Sequence, residues 1–217
     1  HVYPRTLEAL PWISDIDSAV EQQLVNHYNE LIRLAAIAKD NPDEWLLAEV
    51  ESRLENSRHK LSDGALQLNL ANWSPESVLV EELSLTENRI HAGLFFLELV
   101  DDEVAELVYK LLTLNADDDA EISKAIIQKL VVPQDYSDLM QTHRRRLANF
   151  QQVEADFFAV LAQIDAAVYD LFGLTTAEKA HIEARLNQFP LNQLQPRYPW
   201  QTVKPRPIKA YTSDRFT

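Results

Sequence analysis

The sequence predicts an all-α fold, an elongated helical bundle with a long antiparallel, coiled-coil-like helix pair and an extended Pro-rich C-terminal arm. Three observations carry that expectation. Only three Gly occur in 217 residues, at positions 64, 93 and 173, so long uninterrupted helices are expected. Of the ten Pro, seven sit near the ends, at 4, 11, 190, 196, 199, 205 and 207, where they favour extended chain. Apolar residues recur in alternating steps of four and three over two long stretches, and no alternating strand pattern competes before the tail. The chain therefore divides into an N-terminal extended segment over 1–13, a helical bundle domain over 14–189, and an extended basic and aromatic arm over 190–217.

The first helix is expected from Ser14 to about Lys39, with Val20, Leu24, Leu31 and Leu34 on its seam and His27 between them. Asn41-Pro42-Asp43-Glu44 then reads as an N-cap, a Pro at the first helical position, and a Glu three residues after the cap. The second helix carries Trp45, Leu47, Val50, Leu54 and Leu61, and Ser62-Asp63-Gly64 supplies its stop. Ser74-Pro75 repeats the cap-plus-Pro signal and opens a helical stretch through Leu83, Ile90, Leu94 and Leu97. Asp101-Asp102-Glu103 starts another helix through Val104, Leu107, Val108 and Leu111, ending near Asp117-Asp118-Asp119. A short helix over 120–131 follows.

The longest helix is expected from about Gln134 to Phe172, with a seam of His143, Leu147, Phe150, Phe157, Leu161, Ile164, Val168 and Leu171. It pairs with the first helix. Gly173-Leu174 matches a left-handed C-cap with its hydrophobic contact, and Thr175-Thr176-Ala177-Glu178 is a capping box that launches a final helix to about Gln188. The seam histidines His27 and His143 read as polar positions that set register.

Composition narrows the classes of function. A hydrophobic share of 46% suits a globular chain, and no apolar run approaches the ~18 residues of a membrane span. The absence of Cys excludes disulfides and fits a reducing, cytoplasmic setting. The N-terminus, His1-Val2-Tyr3-Pro4, reads as the start of an excised piece of a larger protein. Residues 1–195 hold 15 Lys and Arg against 33 Asp and Glu, a balance of −18, whereas residues 196–217 hold 5 against 1. Such an acidic body repels a phosphate backbone. Its one basic run, Arg144-Arg145-Arg146, spreads over roughly 200° of helix arc and cannot face one groove.

Motifs for chemistry are missing. Three scattered Gly build neither a phosphate loop nor a nucleophile elbow. A di-metal carboxylate bundle wants two Glu-x-x-His motifs. Glu178 and His181 supply one, but Glu178 is already a cap partner, and Glu87 and His91 lie four apart. The expectation is no catalytic, cofactor-binding or metal residue in this chain.

One segment carries a resemblance. Gln163-Ile164-Asp165-Ala166-Ala167-Val168-Tyr169-Asp170-Leu171-Phe172-Gly173-Leu174-Thr175-Thr176-Ala177-Glu178, followed by Ile182-Glu183, resembles a segment of bacterial restriction-modification and phage-defence proteins. There a helix of the form Ile-Asp-x-x-Val-x-x-Leu-Tyr/Phe-Gly-Leu precedes a Thr- or Ser-capped, Glu-rich helix. It occurs late in fused N6-adenine DNA methyltransferases and in specificity subunits, beside target-recognition domains. The match spans residues 163–183, about a tenth of the chain. The resemblance implies a non-catalytic scaffold or spacer near the C-terminus of a larger DNA methyltransferase. S-adenosylmethionine is implied for that parent only, because the catalytic Asn/Asp-Pro-Pro-aromatic motif and the cofactor's Gly-containing motif are both missing here. Asn41-Pro42-Asp43-Glu44 lacks the second Pro and the aromatic residue.

The arm is the expected place of contact. Arg197, Tyr198, Trp200, Lys204, Arg206 and Lys209 interleave cations with rings, which suits DNA and equally suits docking on the chain's own acidic helices. Expected partners are other domains of the parent, DNA through the arm, and a second copy of the chain, with no membrane. The alternative function is a free-standing interaction module that dimerises or binds a partner helix.

Overall fold

A computed structural model describes residues 16–115, 120–188, 198–201, 203–204 and 206–216. They fall into two units, one of His1–Lys39 with Gln151–Tyr198, the other of Asp40–Phe150 with Pro199–Thr217.

The first unit is helical. Helix α1 spans Ser18–Ala38, capped by the Asp17 carboxylate, which accepts from the Ala19 N–H at 2.7 Å. A 36-residue helix, here α5, spans Tyr136–Leu171 and contributes its part from Gln151 onward to this unit. The two run antiparallel. Val20 and Gln23, early in α1, share a cleft with Gln163, Ala166, Asp170 and Leu171, late in α5, while Arg33 feels the Asp156 charge. The pair is looser than a coiled coil. Leu34 and Phe157 are buried, but Val20, Leu24, His27, Leu31, Leu161, Ile164, Val168 and Leu171 are only half-buried.

The end of α5 is built by local chemistry. Gly173 adopts φ +62°, and the Leu174 and Gly173 N–H groups donate to the Tyr169 and Asp170 carbonyls at 3.1 and 3.0 Å, a Schellman turn. Glu178 and Thr175 then bond reciprocally, the Thr175 N–H to Oε2 at 2.8 Å and the Glu178 N–H to Oγ1 at 3.3 Å. The Thr175 hydroxyl also donates to Oε2 at 2.7 Å, and that bond, with the one from the Thr175 N–H, holds the Glu178 carboxyl below the usual range at the start of α6, Thr176–Gln188.

The second unit overturns the all-α expectation. It is mixed, with three small antiparallel sheets among its helices. Helix α2, Pro42–Asn56, starts as its sequence predicts, with the Asn41 side chain accepting from the Asp43 and Glu44 N–H groups. It stops at Asn56, short of the expected Leu61, because Ser57 is extended and Arg58–Lys60 form β1. The stretch after Ser74-Pro75 contains no helix of four turns. It forms β2 (Ser77–Leu79), β3 (Leu83–Thr86), β4 (Arg89–Ala92) and β5 (Phe95–Glu98).

Helical spacing through Leu83, Ile90, Leu94 and Leu97 was a coincidence of numbering, and the working period is two. Leu83 pairs with Ala92 and Ile90 with Leu97, all four buried on one face of the sheet. Leu94 is 96% exposed at the tip of a two-residue hairpin. Gly93 opens that hairpin at φ +60°, and Glu87 opens the preceding one at φ +52°. Helix α3, Asp102–Leu114, packs over β3 and β4, capped by the Asp101 carboxylate on the Val104 N–H at 2.9 Å. The expected stop at Asp117-Asp118-Asp119 lies outside the described residues.

The expected helix over 120–131 is likewise corrected to β6 (Glu121–Ser123), α4 (Lys124–Lys129) and β7 (Val131–Pro133). Val131, Val132 and Pro133 are a short apolar run buried on both faces, which a strand accommodates and an amphipathic helix does not. Strand β7 pairs with β1, and β6 with β2. The core gathers α2, α3, these strands and the start of α5, with Trp73, Leu107, Met140 and Tyr211 inside it.

Candidate functional site

Of the C-terminal residues predicted to make contacts, Trp200, Lys204, Arg206 and Lys209 belong to the second unit. Trp200 is buried, and its carbonyl accepts from Asn41 Nδ2 at 2.6 Å, so the residue that caps α2 also holds this segment. The Lys204 backbone N–H donates to the Glu44 carboxylate, and the Lys204 ammonium is exposed. Arg206 pairs with Glu51 at 2.6 Å, and Arg215 reaches Glu51 at 2.9 Å and Glu55 at 3.5 Å. Between them Tyr211 is fully buried, its hydroxyl 3.4 Å from the Leu47 carbonyl. Burial pushes its phenol up, against the opposing charge of Arg206. Lys209 is exposed, beside a shallow cleft lined by Ala125, Ile126, Lys129, Thr212 and Arg215. In the other unit, Tyr198 meets Phe157 and Phe158 edge-on, with centroids at 5.1 and 5.7 Å. Arg197 lies outside the described residues.

The three consecutive arginines of α5 splay as their helix positions require. Arg144 binds Glu106 at 2.7 Å and Glu103 at 3.4 Å, Arg145 bonds to Thr142, and Arg146 binds Asp40 at 2.9 Å while lying 4.4 Å over the Trp45 ring. Two of the three cations, Arg144 and Arg146, are thus paired with carboxylates, and Arg145 is exposed. Nearby, the Tyr136 hydroxyl donates to Asp101 at 2.8 Å, and burial with that bond pushes the phenol up to about 12.

One constellation was not visible in the sequence. His143 is fully buried in the second unit, and its Nε2 lies 2.8 Å from Asp43 Oδ1, which also takes the Lys110 ammonium at 3.0 Å. Three helices meet there. Asp43 accepts only, so His143 donates from Nε2, and its Nδ1 is buried without a partner. Burial raises the Asp43 carboxyl, but the His143 hydrogen bond and the Lys110 charge outweigh it, and the net direction is down. His143 is therefore no register residue of a coiled coil. The available signal was Lys110, a lone cation in the apolar run Val104–Leu114. His27, on α1, lies 3.4 Å from Gln23 Nε2 and is half-buried.

Among the described residues no three His, Asp or Glu cluster as metal ligands, and no helix is long and apolar enough to cross a membrane. Glu87 occupies a hairpin turn, while the His91 ring meets Phe96 at a 42° tilt with centroids 5.6 Å apart. Gly64, Gly93 and Gly173 each adopt a positive φ. No protein-family model, curated protein or solved structure matches the chain.

Proposed function

We propose that the chain is a non-catalytic scaffold or spacer region of a larger DNA-modifying protein of the restriction-modification or phage-defence type, working in the cytoplasm. The observation that carries this reading is the unbroken α5 with its Schellman turn and capping box, formed by the residues that bear the resemblance at 163–183. Thirty-six residues make a rod of about 54 Å at 1.5 Å per residue. Its residues up to Phe150 belong to the second unit and those from Gln151 to the first. Catalysis and S-adenosylmethionine belong, on this reading, to the rest of that polypeptide.

The test uses the full-length parent, measuring methyl transfer from S-adenosylmethionine to duplex DNA. Inserting four residues after Asn149, about one helical turn, should abolish site-specific methylation and leave cofactor binding unchanged. A parent without methyl transfer, or one whose methylation ignores the insertion, would overturn the reading. Direct DNA contact through Lys204 and Lys209 is tested by titrating the chain with duplex DNA at two salt concentrations. Contact predicts salt-sensitive binding that K204E/K209E removes. The alternative, a free-standing interaction module, is favoured by the exposed apolar residues of α1.

A further inference from the structure

Helix α1 carries a second apolar stripe that stays exposed among the described residues. At about 100° per residue, Val20, Leu24, His27, Leu31, Leu34 and Ala38 share one face, the buried and half-buried side of the helix. Val25, Tyr28 and Ile32 lie about 110° further round and are 46%, 61% and 52% exposed. Glu21 and Lys39 fall on the same line as this second stripe, before and after its apolar centre. Both are exposed, and among the described residues neither has an ion-pair partner. Lys39 is the C-cap residue and keeps helical φ and ψ, so the line continues through it.

We infer that this face is an interface with a second copy of the chain, α1 against α1, antiparallel about a two-fold axis. The order of charges selects the occupant. An acid at the start, an apolar centre and a base at the end form a pattern complementary to its own reversal. An antiparallel copy lays Glu21 against the partner's Lys39 and Tyr28 against the partner's Ile32, and symmetry makes each contact twice. A single register serves both, because position 30 is the midpoint of Glu21 and Lys39 and also of Tyr28 and Ile32. A parallel copy would instead oppose like charges at both ends. One helix face of about five turns falls below the ~800 Å² per partner of a standard interface, so association is weak and rises with concentration.

Sedimentation velocity on the full chain over a concentration series tests this. The mass should climb from 24.9 kDa toward twice that value. The double variant Tyr28→Glu, Ile32→Glu should stay at the lower mass throughout, with unchanged circular dichroism because both positions are exposed. Glu21→Lys alone and Lys39→Glu alone should each weaken association roughly tenfold, since both symmetric ion pairs become repulsions. The combined swap E21K/K39E should restore it. A monomer at every concentration, a dimer that survives the Tyr28 and Ile32 substitutions, or a combined swap that fails to rescue would overturn the inference.

Discussion

Replacing Asp43 tests whether the buried ion cluster organises the second unit. The carboxylate is about one-fifth exposed and holds two donors on one oxygen, His143 Nε2 at 2.8 Å and Lys110 Nζ at 3.0 Å. At an effective dielectric of about 20, the Lys110 attraction alone is about 5–6 kcal/mol before desolvation offsets part of it. Removing one partner of a buried pair strands the other, and such losses run at about 3–5 kcal/mol. Asp43→Ala is therefore expected to cost about 3 kcal/mol, part of it from losing an acid in the first turn of α2. Asp43→Asn keeps an acceptor for His143 and loses only the charge facing Lys110, so about 1–2 kcal/mol is expected.

Urea unfolding of the two variants beside the parent chain measures both values. The pH dependence gives a second reading. The folded-state carboxyl lies below its ordinary value of 3.8, so its contribution is complete above that pH and disappears as pH falls through the lower folded value. The gap between the parent chain and Asp43→Asn should accordingly close in acid. Equal costs below about 1 kcal/mol for both variants, or a gap that persists in acid, would refute the reasoning.

Five further substitutions, at four positions, probe other parts of the fold. Tyr211→Ala should cost about 3–5 kcal/mol by urea unfolding, as for a large ring removed from a packed core, whereas Tyr211→Phe should cost under about 1 kcal/mol because its hydrogen bond is long. Leu94→Ser should leave stability within about 0.5 kcal/mol and Leu97→Ala should cost about 2–5 kcal/mol; similar losses at both would return the stretch to a helix. Gly173→Ala meets open space, so its cost, about 1–2 kcal/mol by thermal melting, comes from the left-handed backbone alone.

The parts of the fold that were legible are those whose chemistry is local. Asn41 caps its own helix two and three residues on, and Thr175 and Glu178 close a ring across three residues, so the sequence carries the whole interaction. Helices α1 and α5 declared themselves through sustained seams. The strands did not, because each is three or four residues long and its partner lies elsewhere, as Arg58 finds Pro133. Gly93 followed by Leu94, between the alternating pairs Ile90/Ala92 and Phe95/Leu97, was the hairpin signal, and a coincident helical spacing masked it. The Asp43, Lys110 and His143 cluster was hidden for the same reason as the strands. Its members come from three helices, and Asp43 was already explained by its place beside a cap.

The buried Tyr211 has a consequence for synthesis. Its hydroxyl meets the carbonyl of Leu47 across 164 positions of sequence. At roughly 5–20 residues per second, the early part of this core waits on the order of ten to thirty seconds before the ring that completes it leaves the ribosome. During that interval α2, whose Glu51 receives Arg206 and Arg215, is already made while its apolar neighbours lack the Tyr211 ring. A nascent chain stalled short of Tyr211 would thus be a ready client for chaperones and a ready substrate for proteases.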